Sequence, residues 1–493
     1  MMTKTKLAVA LAAAGVAAGL QAKEMRLGWE FCVTHGKTPK IETAKRMIDI
    51  AAGLGYQEIQ LFSKAAFLYE KHPEAALGRS PYTWRDIREL DDYCAAKGIE
   101  LVPYQACFSH MEPWFAVPKY NALAEAPMAG VTNKFNSVTK VPMGLCASNP
   151  KAFELLEDIW DELLPNFRSP YLNVGCDEFV EYQDGGRGSA AAVKEKGAIG
   201  LYTEVLRKME ASIRRRGKTM MCWADIVVRR PDGAEVLKQL PKSAVLMDWG
   251  YAASYPFEKE CAILEKSGHR FWVCPGTGSW WGFTGYLTNM MTNVSTAWKA
   301  GRKHGAEGLL LTTWGDCGHP QPWLAELPGM IYAAACVREG KELTKDELAA
   351  RLDKLLGCKC GEALVGYGML NHLFEKRRGG VLATVVRTRG PATNVPGVTA
   401  KDIATVKAAR RAAEAKLDLT GAAEWIKDDF RLMGILLDAF EWRVAGDDRR
   451  VREELPGPYA ELWLKQNRPG GLSRSIEFNL LQGEPWADVW KFN

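Results

Sequence analysis

From about residue 26 onward, eight short apolar runs alternate with stretches of helical period. The runs are RLGWEF (26–31), EIQLF (58–62), ELVPYQ (100–105), YLNVGCDE (171–178), TMMCWAD (219–225), AVLMDWGY (244–251), FWVCPGTG (271–278) and GLLLTTWGD (308–316). Most lack a clean polar alternation, as parallel strands covered on both faces do. Helices are expected between them, among others over 41–54, 83–97 and 150–164. Gly98, Gly217, Gly268 and Gly305 each follow a helix-like run and stand a few residues before a strand, where glycine suits a helix C-cap. Eight such units are the count of a (β/α)₈ barrel, the TIM barrel. An open doubly wound sheet would carry a Gly-rich phosphate loop after its first strand. Cys32-Val33-Thr34-His35-Gly36 is no such loop, and Gly276-Thr277-Gly278 lacks the third glycine.

The chain is therefore expected to be α/β, with a barrel over 23–340 and a mainly helical C-terminal domain over 341–493. Helices are expected there at 345–356, 401–417 and 422–444, with turn-rich breaks around 378–400 and 454–475. Thr344-Lys345-Asp346-Glu347 reads as a capping box. Residues 1–22 have the pattern of a signal peptide: Lys4 and Lys6, an apolar run from Leu7 to Leu20, then Leu20-Gln21-Ala22 as a cleavage site. The expected location is periplasmic or secreted, with no membrane span once the signal is cleaved. A net charge of +5 over 493 residues makes no case for nucleic acid as a partner. Twelve Cys are too sparse for a disulfide scaffold, and Cys176, Cys222 and Cys274 sit in apolar strand-like runs, so mostly buried thiols are expected. Arg214-Arg215-Arg216 reads as the solvated end of a helix.

In a (β/α)₈ barrel the active site lies at the C-terminal ends of the strands. Asp177-Glu178, Trp223-Ala224-Asp225, Asp248-Trp249-Gly250-Tyr251, Trp280-Trp281 and Trp314-Gly315-Asp316 all fall there. The dipeptides Asp161-Glu162 and Asp346-Glu347 lie on helices as surface charge. Asp177-Glu178 differs because an apolar strand runs straight into it, and two carboxylates there are costly unless solvated, paired or shared with a ligand. Tryptophans at several strand mouths offer flat faces to a sugar. No His/Asp/Glu cluster shows metal-ligand spacing, so neither metal nor organic cofactor is implied.

At these residues the sequence resembles glycoside hydrolase family 20, the β-N-acetylhexosaminidases, and most of all its bacterial exo-acting branch. The likeness spans about residues 25–335. It is carried by Asn173-Val174-Gly175-Cys176-Asp177-Glu178 and Thr313-Trp314-Gly315-Asp316-Cys317-Gly318-His319, and extends to Ile87-Arg88-Glu89-Leu90, Gly98–Pro103 and Ser109-His110-Met111. The resemblance implies substrate-assisted catalysis, in which the sugar's own acetamido oxygen attacks the anomeric carbon. Glu178 is then the general acid and base, and Asp177 orients the acetamido N–H. Trp223, Trp249 and Trp314 match the tryptophans that enclose the acetamido group, and Asp316 matches the acid that binds hydroxyls. Trp280 or Trp281 matches an aromatic of the sugar platform, and His110 a histidine near the catalytic pair. Two departures stand out. His35 lies near the place of an arginine that grips the terminal sugar. No tyrosine occupies Pro275–Gly282, where many members bind the acetamido carbonyl, so Tyr251 or Tyr286 is left to substitute.

The expected function is exo-hydrolysis of terminal β-linked GlcNAc or GalNAc from glycans. Two alternatives stay open: a retaining glycosidase for sugars without the acetamido group, and a carbohydrate-binding barrel that has lost catalysis.

Overall fold

The computed structural model describes residues 24–481 apart from 77, 127–141, 179, 184, 375–379 and 388–394. The expected signal peptide lies outside the described residues. Eight parallel strands close a barrel in sequence order: β1 (Arg26–Cys32), β2 (Glu58–Ser63), β3 (Glu100–Gln105), β4 (Tyr171–Asn173), β5 (Thr219–Trp223), β6 (Val245–Trp249), β7 (Arg270–Cys274) and β8 (Gly308–Leu311). Closure is made by β1 against β8, with Arg26 opposite Gly308 and Trp29 opposite Leu311.

Side chains alternate across each strand. Cys32, Phe62, Val102, Tyr104, Met221, Trp223, Val245, Met247, Trp272, Cys274 and Leu310 form one buried cluster that fills the barrel. Their strand neighbours, such as Phe31, Leu61, Leu101, Cys222, Leu246, Val273 and Leu309, belong to the larger cluster shared with the helices. Apolar residues on both faces explain why the runs read as continuous. At the closed end of the barrel, Arg26 reaches Glu58 (3.3 Å) and Glu100 (2.7 Å). Gln60 then bridges Glu58 and Asn173.

The expected helices form close to their reading: Ile41–Gly53, Trp84–Ala96, Pro150–Leu163 and Lys345–Leu356. Thr83 and Thr344 each close a capping box. Gly98, Gly217, Gly268 and Gly305 all have left-handed backbones, as helix termini require. Several strands end earlier than the apolar runs suggest. The run 171–178 pairs only over Tyr171–Asn173, because Gly175 and Cys176 turn left-handed and leave the sheet. Within the expected breaks at 378–400 and 454–475, Val381–Arg387 and Pro456–Gln466 are helical. Proline at the first helical position is compatible with a start there, and burial of Val381 to Arg387 overrides their weak propensity. Arg214 and Arg215 are exposed as expected, whereas Arg216 is held by Glu157 and Asp161.

The C-terminal helices pack on the barrel through buried polar contacts. Lys37, after β1, donates to the Gln321 carbonyl (2.5 Å) in the loop after β8 and sits 5.9 Å over the Trp463 ring of the C-terminal region. Asp429 accepts from the Leu324 amide and from the Gln466 side chain. All twelve cysteines are free, and only Cys317 is not fully buried. Among the described residues no helix is long and apolar enough to cross a membrane.

Gly308 has no room for a side chain, since a Cβ there would lie 2.6 Å from three atoms of the Trp272 ring. Gly308→Ala should destabilise the fold by about 1–3 kcal/mol through overpacking. Gly53→Ala, in open space within a helix, should be neutral or stabilising. Equal denaturation midpoints for the two variants would contradict this account of the barrel interior.

Candidate active site

The site is assembled where the strands stop. An extended chain would point Asp177 and Glu178 to opposite faces. Gly175, Cys176 and Glu178 instead have φ of 70°, 68° and 47°. Left-handed conformations cost an L-residue of order 1–3 kcal/mol and persist only when neighbours hold them. Here the Gly175 amide donates to the Asn173 side chain (2.9 Å), Tyr202 to the Cys176 carbonyl (2.9 Å), and the Glu178 amide to Asp225 Oδ2 (3.4 Å). The turn brings both carboxylates to one imidazole. His110 Nε2 lies 3.3 Å from Asp177 Oδ2 and 3.3 Å from Glu178 Oε2. His110 itself has a φ of 57°.

On its other side, His110 Nδ1 lies 3.3 Å from Lys64 Nζ and 3.7 Å from Glu112. Burial alone would lower the His110 pKa and Lys64 opposes its charge. The Asp177 carboxylate, together with Glu112 on the other side of the ring, raises the value well above the ordinary imidazole range. Glu112 is depressed: burial is more than offset by Lys64 and His110. Ligating atoms of His110, Asp177 and Glu178 lie within 4.8 Å of one another. A metal held by these three would need the neutral ring, and the Lys64 ammonium lies 3.3 Å from that ring.

A cavity of about 600 Å³ opens over this cluster. Its wall includes His110, Asp177, Glu178, Trp249, Tyr251, Trp280, Trp281, Trp314 and Asp316. Trp223 is not in the wall. It lies fully buried beneath it and donates its indole N–H to Tyr104 Oη at 2.6 Å. Tyr286 is also outside the wall, stacked on His372 at 4.3 Å. Of the two candidate tyrosines, only Tyr251 faces the cavity. Its oxygen accepts from the Trp314 indole at 2.7 Å, and since an indole N–H only donates, the phenol hydrogen is left for another acceptor. Trp249 stacks on Tyr251 at 5.0 Å, with the Arg229 guanidinium 4.0 Å over its ring. Asp316 is raised by burial, with Lys64 pulling the other way. His35 lies in the short turn Thr34–Gly36 that follows β1.

Several wall residues carry no motif and escape a reading of the sequence: Phe62, Lys64, Tyr104, Arg229, Tyr255 and Glu260. Phe62, Lys64 and Tyr104 sit at the ends of β2 and β3, so strand position was the available signal. Arg229 and Tyr255 arrive on loops whose course no local pattern dictates.

His110 supplies a test of the charge cluster. Because its folded value is raised, the stability it contributes is fully present below about pH 6.5, the unfolded value. That stability is lost as pH rises through the higher folded value. His110→Gln should therefore be less stable than wild type at pH 6, and the gap should narrow as pH climbs. Denaturant titrations from pH 6 to 9 check this; a gap that widens with pH would contradict it.

Comparisons with known proteins agree with this architecture. The family profile described as "Glycosyl hydrolase family 20, catalytic domain" matches residues 57–304. Hexosaminidase D of Homo sapiens is 21% identical over 345 residues, covering 65% of this chain and 67% of that protein. The chitobiase of Flavobacterium johnsoniae superposes with a TM-score of 0.55 at 16% identity, over 93% of this chain and 78% of that one. A β-N-acetylhexosaminidase from Bacteroides fragilis gives 0.50 at 15% identity, over 68% of this chain and 70% of that one. At these identities the two structural likenesses speak to the fold.

Proposed function

The chain belongs to glycosyl hydrolase family 20, and from that premise we propose that it is an exo-acting β-N-acetylhexosaminidase of the bacterial kind, releasing terminal β-linked GlcNAc or GalNAc from glycans. The observation that carries this reading is the adjacent pair Asp177 and Glu178, both 3.3 Å from one imidazole on the wall of one aromatic cavity. Retaining glycosidases with a protein nucleophile place their two carboxyls roughly 5 Å apart across the scissile bond, usually on separate strands. Neighbours on one turn suit a different division of labour.

In that division Glu178 protonates the leaving oxygen. The acetamido oxygen closes on the anomeric carbon to give an oxazolinium ion. Asp177 accepts the acetamido N–H and balances the positive charge that develops. Glu178, now ionised, takes a proton from the water that opens the ring. His110 holds both carboxylates in register. Tyr251 is the donor assigned to the acetamido carbonyl, since it lines the cavity and only accepts from Trp314. Trp249 and Trp314 wall the acetamido group, Trp223 supports them from below, Trp280 and Trp281 supply the platform, and Asp316 takes the sugar hydroxyls. Residues 1–22 are read as an export signal, so the mature protein recovered from the periplasm or medium should begin at Lys23.

The test is turnover of chromogenic β-GlcNAc, β-GalNAc, β-glucoside and β-galactoside by wild type and variants. Turnover confined to the N-acetyl sugars is expected, with Glu178→Gln lowering kcat by roughly 10²–10⁴. Asp177→Asn should impair the acetamido substrates strongly. Efficient cleavage of plain hexosides, or an Asp177→Asn variant with wild-type rate, would favour a protein nucleophile. Sugar binding without turnover would favour a binding protein.

A further inference from the structure

Asp225 is a further carboxyl at this end of the barrel, outside the cavity wall. It follows β5 by two residues and opens the one-turn helix Asp225–Val228. It is only 7% exposed. Oδ2 accepts the Glu178 amide at 3.4 Å, while Oδ1 is buried with no hydrogen-bond partner. A buried carboxyl left half unsatisfied is costly. The structure does not relieve it by direct ion pairing. Arg229, the cation that acts on it, donates instead to the Trp249 carbonyl (2.6 Å) and the Tyr255 hydroxyl (3.2 Å).

We propose that Asp225 is the positioning residue of the general acid: its carboxyl holds the Glu178 backbone in the left-handed turn and so aims the Glu178 side chain. The contact itself carries this. Glu178 has a φ of 47°, left-handed backbone persists only where neighbours hold it, and its amide is held by Asp225 Oδ2 at 3.4 Å. Asp225 is itself fixed by burial at the start of its helical turn.

This inference rests on Glu178 being the general acid. It does not need the acetamido mechanism, because an acid that protonates the leaving oxygen serves either kind of retaining enzyme. The experiment measures kcat and KM for wild type, Asp225→Asn, Asp225→Ala and Asp225→Ser on whichever aryl glycoside wild type cleaves best. Asp225→Asn keeps an acceptor for the Glu178 amide and should retain most of the wild-type kcat. The Ala variant loses the acceptor and should lose kcat by roughly 10- to 100-fold with little change in KM. A loss in Asp225→Asn as large as in Asp225→Ala, or wild-type kcat in Asp225→Ala, overturns the proposal. Should Asp225→Ala fail to fold, Asp225→Ser, whose hydroxyl is too short to reach the amide, takes its place with the same expected loss. Lack of N-acetyl selectivity in wild type would defeat the proposed function and leave this test standing.

Discussion

The contact on which the rest depends is the meeting of two neighbouring carboxylates at one imidazole. Like charges on adjacent residues repel, and an extended strand keeps them on opposite faces. The chain overcomes both obstacles by ending β4 at Asn173 and turning left-handed at Gly175, Cys176 and Glu178. His110 then stands 3.3 Å from each carboxylate. The strain of the turn is held by the Asn173 side chain, Tyr202 and Asp225. The barrel supplies what makes these holders rigid: Asn173 is tied through Gln60 to Glu58 and Arg26 at the other end of the same strands.

Around this cluster the walls are aromatic and linked. Trp314 donates to Tyr251, Trp223 donates to Tyr104, and the two indoles lie 5.9 Å apart. Each N–H is satisfied by a phenol oxygen, so the rings can be buried without an unpaired donor. The C-terminal helices contribute from behind. The loop after β8 is seated on residues near 475: a Cβ on Gly318 would lie 2.8 Å from the Ser475 Cα, and Asn479 donates to the Cys317 carbonyl. The segment that carries Trp314 and Asp316 is therefore braced by chain outside the barrel.

Much of this was legible in the sequence, and the misses have physical causes. Eight apolar runs gave the barrel because both faces of each strand are covered. Glycines at four helix ends gave the boundaries because only left-handed backbone closes them there. The strands ran shorter than their apolar runs, since apolar residues continue past the last ladder hydrogen bond into the mouth. Trp223 ends a strand, and its side chain falls on the inward layer beneath the cavity wall, a depth that strand position alone does not give. Tyr104 and Lys64 went unnoticed for the opposite reason, having no motif around them. Asp225 stood in plain sight beside Trp223, yet its meaning lies in a contact with the β4 loop, and no spacing along the chain encodes that.

The central claim is that the substrate's acetamido oxygen, and not a protein group, attacks the anomeric carbon. The most direct measurement is kcat/KM for aryl glycosides whose 2-acetamido group carries zero, one, two or three fluorines. Each fluorine withdraws electrons from the carbonyl oxygen. Rates that fall steeply and steadily across the series are predicted. A rate indifferent to fluorination would contradict the claim and return the nucleophile to the protein.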